Sequence, residues 1–199
     1  MVYYLDDKPA IPHIIDEFPE SIDLESFTAA TAVIIDPAGE SLPTTATIDD
    51  GAVEVAWPVD SVFTLEGIYR IRVTLTGLDV SQRLPDVRIV AQDSDSEWHT
   101  LDSIRHEWPE ADTISDVTLW TLLETVRGQI AQFGTTLTGA SALDATQYAQ
   151  RLQVRNAWNA ARVAPDGGFG EGEFVIRPFP LDWHVKQVLR PKRGVPVVA

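Results

Sequence analysis

Residues 115–134 read SDVTLWTLLETVRGQIAQFG. Leu119, Leu123, Val126, Ile130 and Phe133 recur at steps of four, three, four and three, which places all five on one stripe of an α-helix. Ser115 has the side chain to cap the first turn by accepting a bond from an orphan backbone N–H, and Asp116 sits where the helix dipole favours an anion. Gly134 follows the last apolar residue, the usual place for a left-handed C-terminal residue. The chain is organised around this helix: a β-patterned half precedes it, and a second long helix and a basic tail follow.

On the N-terminal side, from Val2 to about Gln92, the dominant period is two. Tyr69, Ile71, Val73 and Leu75 alternate with Arg70, Arg72, Thr74 and Thr76, an apolar face against a polar one. Val53, Val55 and Trp57 alternate likewise. Residues 31–36 (TAVIID) and 87–91 (VRIVA) read as further strands, the latter with Val87 and Ile89 inward. Turn signals separate them: Asp36-Pro37-Ala38-Gly39, Asp49-Asp50-Gly51 and Leu65-Glu66-Gly67. Asp50-Gly51 is a hairpin pair. Short strands with a turn every 8–15 residues predict an antiparallel β-sandwich over residues 1–92. The polar run QDSDSE, 92–97, predicts a linker over 93–99.

Beyond the linker the period becomes helical, so the fold class is α+β. Thr100 can cap a short helix over 101–107, with Leu101 and Ile104 on one face, and Trp108-Pro109 ends it. After the main helix, residues 134–141 (GTTLTGAS) read as a loop. A helix over about 143–163 follows, with Ala145, Tyr148, Ala149, Leu152 and Ala161 on its apolar side and Trp158 extending it. Pro165-Asp166-Gly167-Gly168 stops it. Phe174-Val175-Ile176 has the composition of an added strand. Asp182 can cap a short helix over 183–189, and Pro191 ends that helix. The helical domain is therefore 100–165, and 166–199 is an extended C-terminal docking segment.

Composition limits the function. The 199 residues are 44% hydrophobic, enough for a packed core. The absence of cysteine excludes a disulfide scaffold, a thiolate zinc site and a cysteine nucleophile. No 18-residue apolar run predicts a membrane span, and MVYYLDDKPAIP lacks the form of a secretory signal. The net charge of −15 is uneven: residues 1–99 carry 19 acidic and 5 basic side chains, whereas 186–199 hold Lys186, Arg190, Lys192 and Arg193 with no acid. Such an acidic body repels nucleic-acid phosphates, which argues against sequence-reading DNA binding. It serves solubility, or it lines a path that DNA must traverse without sticking.

No catalytic constellation stands out. His99 and His106 are seven apart, but Thr100 caps the helix after His99 and no third metal ligand is in reach. The carboxylates Asp49-Asp50 and Asp93-Asp95-Glu97 fall in turns and the linker, without a cleft to perturb them. Residues 93–97 lack the glycine and distal glutamate of a calcium loop. Gly167-Gly168-Phe169-Gly170 does not join a strand to a helix as a phosphate loop would, and no G-x-S-x-G element is present. No enzyme activity, cofactor or metal is expected.

The tryptophans and the tail are more informative. Trp57 and Trp158 suit the cores of their own domains. Trp120 is off the stripe of Leu119 and Leu123, so it packs within the chain or meets a second subunit. Trp183 lies where little chain surrounds it, which points to burial by a partner. The basic tail is a solvated end or docks in extended form on an acidic surface, such as another copy of this chain.

Two resemblances rest on these residues. The run from Gly39 to Leu75 is similar to the immunoglobulin-like domains of phage baseplate and connector proteins, through Asp50-Gly51, Val55, Trp57, Asp60, Gly67, Tyr69 and Arg70. Residues 98–199 resemble the head-to-tail adaptor proteins of long-tailed actinobacteriophages. The matching elements are a short helix ending in Trp108-Pro109; Ile114-Ser115-Asp116 opening a leucine-rich helix; Gln129-Ile130; QYAQRLQVRNAWNAAR at 147–162; and IRPFPLDWHVKQVLRPKRGVPVVA at 176–199. The resemblance implies a structural virion protein of the neck, forming a homo-oligomeric ring, usually of twelve copies, under the portal protein. It implies a channel for genomic DNA without sequence-specific binding, a platform for tail-completion or tail terminator proteins, and no membrane partner. It also implies subunit or portal contacts through the C-terminal segment, carried here to Trp183, Lys186, Arg190, Lys192 and Arg193, with Trp120 as a further contact. The sandwich is an addition that the adaptor core does not require. The alternative is a baseplate or tail module using the sandwich to contact host surface or glycan, which exposed aromatic residues along a sandwich edge would favour.

Overall fold

The structure, a computed structural model, describes residues 2–58, 62–162 and 180–191. The chain forms two compact units, Met1–Ser94 and Asp95–Ala199. The first is a curled sheet and the second is helical, so the protein is mixed α and β.

The described residues of the first unit form eight strands: β1 (Val2–Tyr4), β2 (His13–Ile15), β3 (Ala29–Ile35), β4 (Ser41–Asp49), β5 (Ala52–Val55), β6 (Gly67–Thr76), β7 (Ser81–Arg83) and β8 (Val87–Gln92). They run in the order β1-β8-β6-β3-β4-β5-β2, with β7 also on β6. β1 is parallel to β8 and the remaining pairs are antiparallel. The expected sandwich of two separate sheets is replaced by one continuous ladder curled into a half-barrel. The cause is β4. Its residues Ser41 to Ala46 pair with β3, while Ala46 to Asp49 pair with β5, so Ala46 faces Ala30 on one side and Val55 on the other. One strand thus joins what would have been two layers.

The period-two pattern sets which face is buried. Along β6, Tyr69, Ile71, Val73 and Leu75 are all at most 1% exposed. They meet Ile34, Val53, Val55, Phe63 and Ile89 in a single core enclosed by the curl. The β4–β5 connection carries positive φ at both Asp50 (42°) and Gly51 (76°), the conformation that an Asp-Gly hairpin provides with little strain. Gly67 opens β6 at φ 141°, and a Cβ there would lie 2.8 Å from Pro37 Cβ; only glycine fits this close approach.

In the second unit, α1 (Leu101–Glu107) begins at a reciprocal capping box of Thr100 and Ser103. A 3₁₀ turn, Pro109–Thr113, follows. α2 (Asp116–Phe133) is capped by Ser115, whose Oγ accepts from Thr118 N–H at 3.3 Å, and ends at Gly134 with φ 72°. α3 is Ala140–Arg162 and α4 is Trp183–Leu189, the latter capped by Asp182. α2 packs on α1 and α3, and α3 packs on α4.

The buried face of α2 is wider than the predicted stripe. Leu119, Trp120, Leu122, Leu123, Val126 and Ile130 are all buried, an arc of roughly 160° at 100° per residue. A helix with neighbours on two sides needs that width. Residues 95–99, expected in the linker, belong to the helical unit, and His99 is buried in it. The expected strand at Phe174-Val175-Ile176, the Pro165–Gly168 helix stop and Asp60 lie outside the described residues.

Candidate interaction surface

The predicted apolar side of α3 packs only in part: Ala149 is buried, and Ala145, Leu152, Trp158 and Ala161 are half-buried. Its buried residues are Ala149, Gln150, Gln153 and Val154, while Tyr148 is 40% exposed. Two glutamines enter the core, each bonded to backbone groups of neighbouring segments. Gln150 Oε1 accepts from His99 N–H at 2.9 Å, and its Nε2 donates to Leu123 O at 3.2 Å. Gln153 Nε2 donates to Pro180 O at 3.2 Å and to Gln129 Oε1 at 3.4 Å, while its Oε1 accepts from Asp182 N–H at 3.2 Å. One helical turn earlier, Gln147 Nε2 donates to Glu97 O at 3.2 Å. Residues at spacing three thus form a polar seam along α3. It clamps the entry to α1 at one end and the segment before α4 at the other. The 147–153 spacing of glutamines is the only signal in the sequence, and the backbone groups opposite them lie far along the chain.

This seam changes the expectation for the C-terminal segment. Residues 180–191 fold back on their own unit. Val185 and Leu189 are at most 1% exposed. Leu189 O accepts from Thr135 Oγ1 at 2.8 Å and from Thr136 N–H at 3.1 Å. Arg190 donates to Phe133 O and to Gly134 O, and its guanidinium lies 4.2 Å from the centre of the Phe133 ring. A cation at the last carbonyls of α2 also meets the negative end of that helix dipole. Arg190 is therefore engaged within its own chain while staying exposed. Trp120, at 6% exposed, is a core residue for the same reason: α2 is enclosed on two sides. Lys192 and Arg193 lie outside the described residues.

Trp183 is different. Its side chain is 69% exposed although its helix is anchored by Val185 and Leu189. Lys186 stands one turn on, on the same face, and forms no ion pair among the described residues. Lys186 also lines a shallow cleft of about 360 Å³ with Gln129, Phe133, Pro180 and Leu181. A second cleft, about 540 Å³, lies between the start of α3 and the residues before α1. Trp98, Glu97, Ala142, Leu143 and Thr146 line it, and Arg127 stacks 5.7 Å from the Trp98 ring centre.

His99 sits in a local polar network. Ser103 Oγ lies 3.1 Å from His99 Nδ1, and His99 Nε2 lies 3.9 Å from Glu107 Oε2, an order that superficially matches a serine–histidine–acid relay. The hydroxyl is committed elsewhere: Ser103 Oγ accepts from Thr100 N–H at 2.9 Å and donates to Thr100 O at 3.2 Å. Glu107 pairs with Arg151. Burial pushes the His99 imidazole below its ordinary value, against the upward pull of Glu107. Among the described residues, no group of three or more His, Asp or Glu side chains is placed to hold a metal ion, and no helix is long and apolar enough to cross a membrane. No protein-family model matches the chain, and no curated protein matches it.

Proposed function

We propose that this chain is a non-enzymatic structural protein of a phage virion, a head-to-tail adaptor that assembles with copies of itself, about twelve, into a ring beneath the portal. The ring extends the DNA channel and receives the tail-completion or tail terminator protein. The observation that carries the proposal is Trp183: a large indole held out to solvent on a helix anchored in the core by Val185 and Leu189. Anchored exposed tryptophans suit contacts with other chains, where they contribute large area at low entropic cost. The charge of −15 supports a wall past which DNA slides without adhering.

The sheet unit is, in this proposal, a variant of the immunoglobulin-like domain whose strands form one continuous ladder in place of two sheets. Its support is the hydroxyl of Tyr69, near the start of β6, which bonds both the N–H (3.1 Å) and the C=O (3.2 Å) of Leu65. Such a tyrosine corner is common in sandwiches of that kind. The parallel pairing of the first strand with the last, and the antiparallel placement of β6 between β8 and β3, suit the same connectivity.

The test is electron microscopy of the protein mixed with its portal. Particles with rotational symmetry are expected; a chain that stays monomeric and ignores the portal refutes the proposal. The host-surface or glycan module is the second reading, and it needs exposed aromatic side chains on the sheet unit. Among the described residues those side chains are buried or half-buried, with Tyr3, Trp57, Phe63 and Tyr69 packed ring to ring.

A further inference from the structure

The helical unit carries a protruding indole and a vacant aromatic-walled cleft, and their positions on the unit are not interchangeable. Trp183 is the first residue of α4. The cleft walled by Trp98 lies toward the other end of that helix: Thr135, one of its lining residues, bonds the carbonyl of Leu189, the last residue. Those helix ends are separated by roughly 9 Å along the axis. The indole therefore cannot reach the cleft of its own unit while α4 is docked.

Near the indole Asp182 is engaged in capping α4, and at the cleft Arg127 pairs with Glu124, which leaves one charge at each feature, of opposite sign. Beside Trp183 stands Lys186, and in the cleft wall stands Glu97; neither forms an ion pair among the described residues. The cleft has an apolar floor of Ala142 and Leu143 with the Trp98 ring as one wall. Arg127 against that ring fixes the wall's orientation. At about 540 Å³ it falls within the roughly 300–1,000 Å³ of sites that enclose small-molecule-sized groups. Leu143 at its rim remains 37% exposed.

We infer that Trp183 of one copy seats in the Trp98–Leu143 cleft of the next, with Lys186 meeting Glu97 across the contact. The occupant is a second copy of this chain. Because indole and cleft lie at different places on one unit, the contact is heterologous, each subunit giving its indole to one neighbour and receiving one from the other. Such contacts propagate in one direction and close into a ring when the rotation per subunit permits. This inference rests on the ring reading above and supplies the side chains that make the ring's subunit contact.

The full-length protein tests it, by analytical ultracentrifugation and native mass measurement. Trp183→Ala should weaken self-association about 30-fold or more, the scale of a buried aromatic anchor. Because Trp183 is exposed within the subunit, its circular dichroism should not change. Thr146→Trp, which fills the cleft from within, should weaken association similarly. Glu97→Lys and Lys186→Glu should each weaken it, and the double exchange should recover most of the loss, a result that general surface repulsion would not produce. If Trp183→Ala assembles like the parent chain, or the double exchange is no better than either single change, this contact is wrong while the ring proposal stands. If the parent chain forms no assembly, alone or with portal, both fail.

Discussion

Replacing Gln153 by alanine should loosen the docking of α4 on the helical unit. Its amide is the bridge between α3 and the turn that precedes α4, bonding Pro180 O and Asp182 N–H. The two backbone bonds contribute about 0.5–1.5 kcal/mol each, so their loss costs roughly 1–3 kcal/mol. α4 has seven residues, too few to be helical alone, since isolated helices are marginal below about 12–15. Its helicity therefore reports its docking. What remains to hold it is the burial of Val185 and Leu189, roughly 1.5–3 kcal/mol each, and the bonds from Thr135 and Thr136 to Leu189 O. The assay is hydrogen exchange at Lys186 and Arg190, whose N–H groups bond Asp182 O and Lys186 O at 3.0 Å each. Their exchange should accelerate roughly 5- to 150-fold, the ratio that 1–3 kcal/mol gives at 25 °C, while the centre of α2 keeps its protection. Gln153→Glu, which sets a buried carboxylate against Pro180 O and Gln129 Oε1, should accelerate exchange at least as much as alanine does. Unchanged exchange at Lys186 and Arg190 in the alanine variant would refute the reasoning that the glutamine seam, rather than burial alone, positions α4.

Two further outcomes follow from buried groups. Tyr69→Phe removes the hydroxyl that serves both backbone groups of Leu65 and should destabilise the sheet unit by about 1–2 kcal/mol, read as a lower urea midpoint at constant slope. The helical unit should lose stability as pH falls below about 6.5, because the unfolded chain protonates His99 before the native state does. The contribution is fully present above that value and is lost toward the lowered native one. His99→Gln should flatten this dependence in thermal melts taken across the same range; an unaltered slope would assign it to other groups.

The features legible in the sequence are those set within one turn or one strand. The alternation of Tyr69, Ile71, Val73 and Leu75, the hairpin at Asp50-Gly51, and the caps at Ser115, Thr100 and Asp182 all depend on local sterics and on hydrogen bonds to near neighbours, so residue type and spacing suffice. Other features were decided only by the tertiary structure. Whether β4 belongs to one layer or links two depends on which strands arrive beside Ala46 from either direction. Trp120 lies off the stripe of α2, and only the presence of α1 and α3 on two sides makes it core. Gln150 and Gln153 carry no apolar signal, yet they are buried because backbone groups of His99, Leu123, Pro180 and Asp182 converge on them. That convergence joins residues 27 to 51 positions apart in the chain, and no local pattern encodes it. The same long-range closure separates Arg190, drawn onto the end of α2, from Trp183, left in solvent on the same short helical segment.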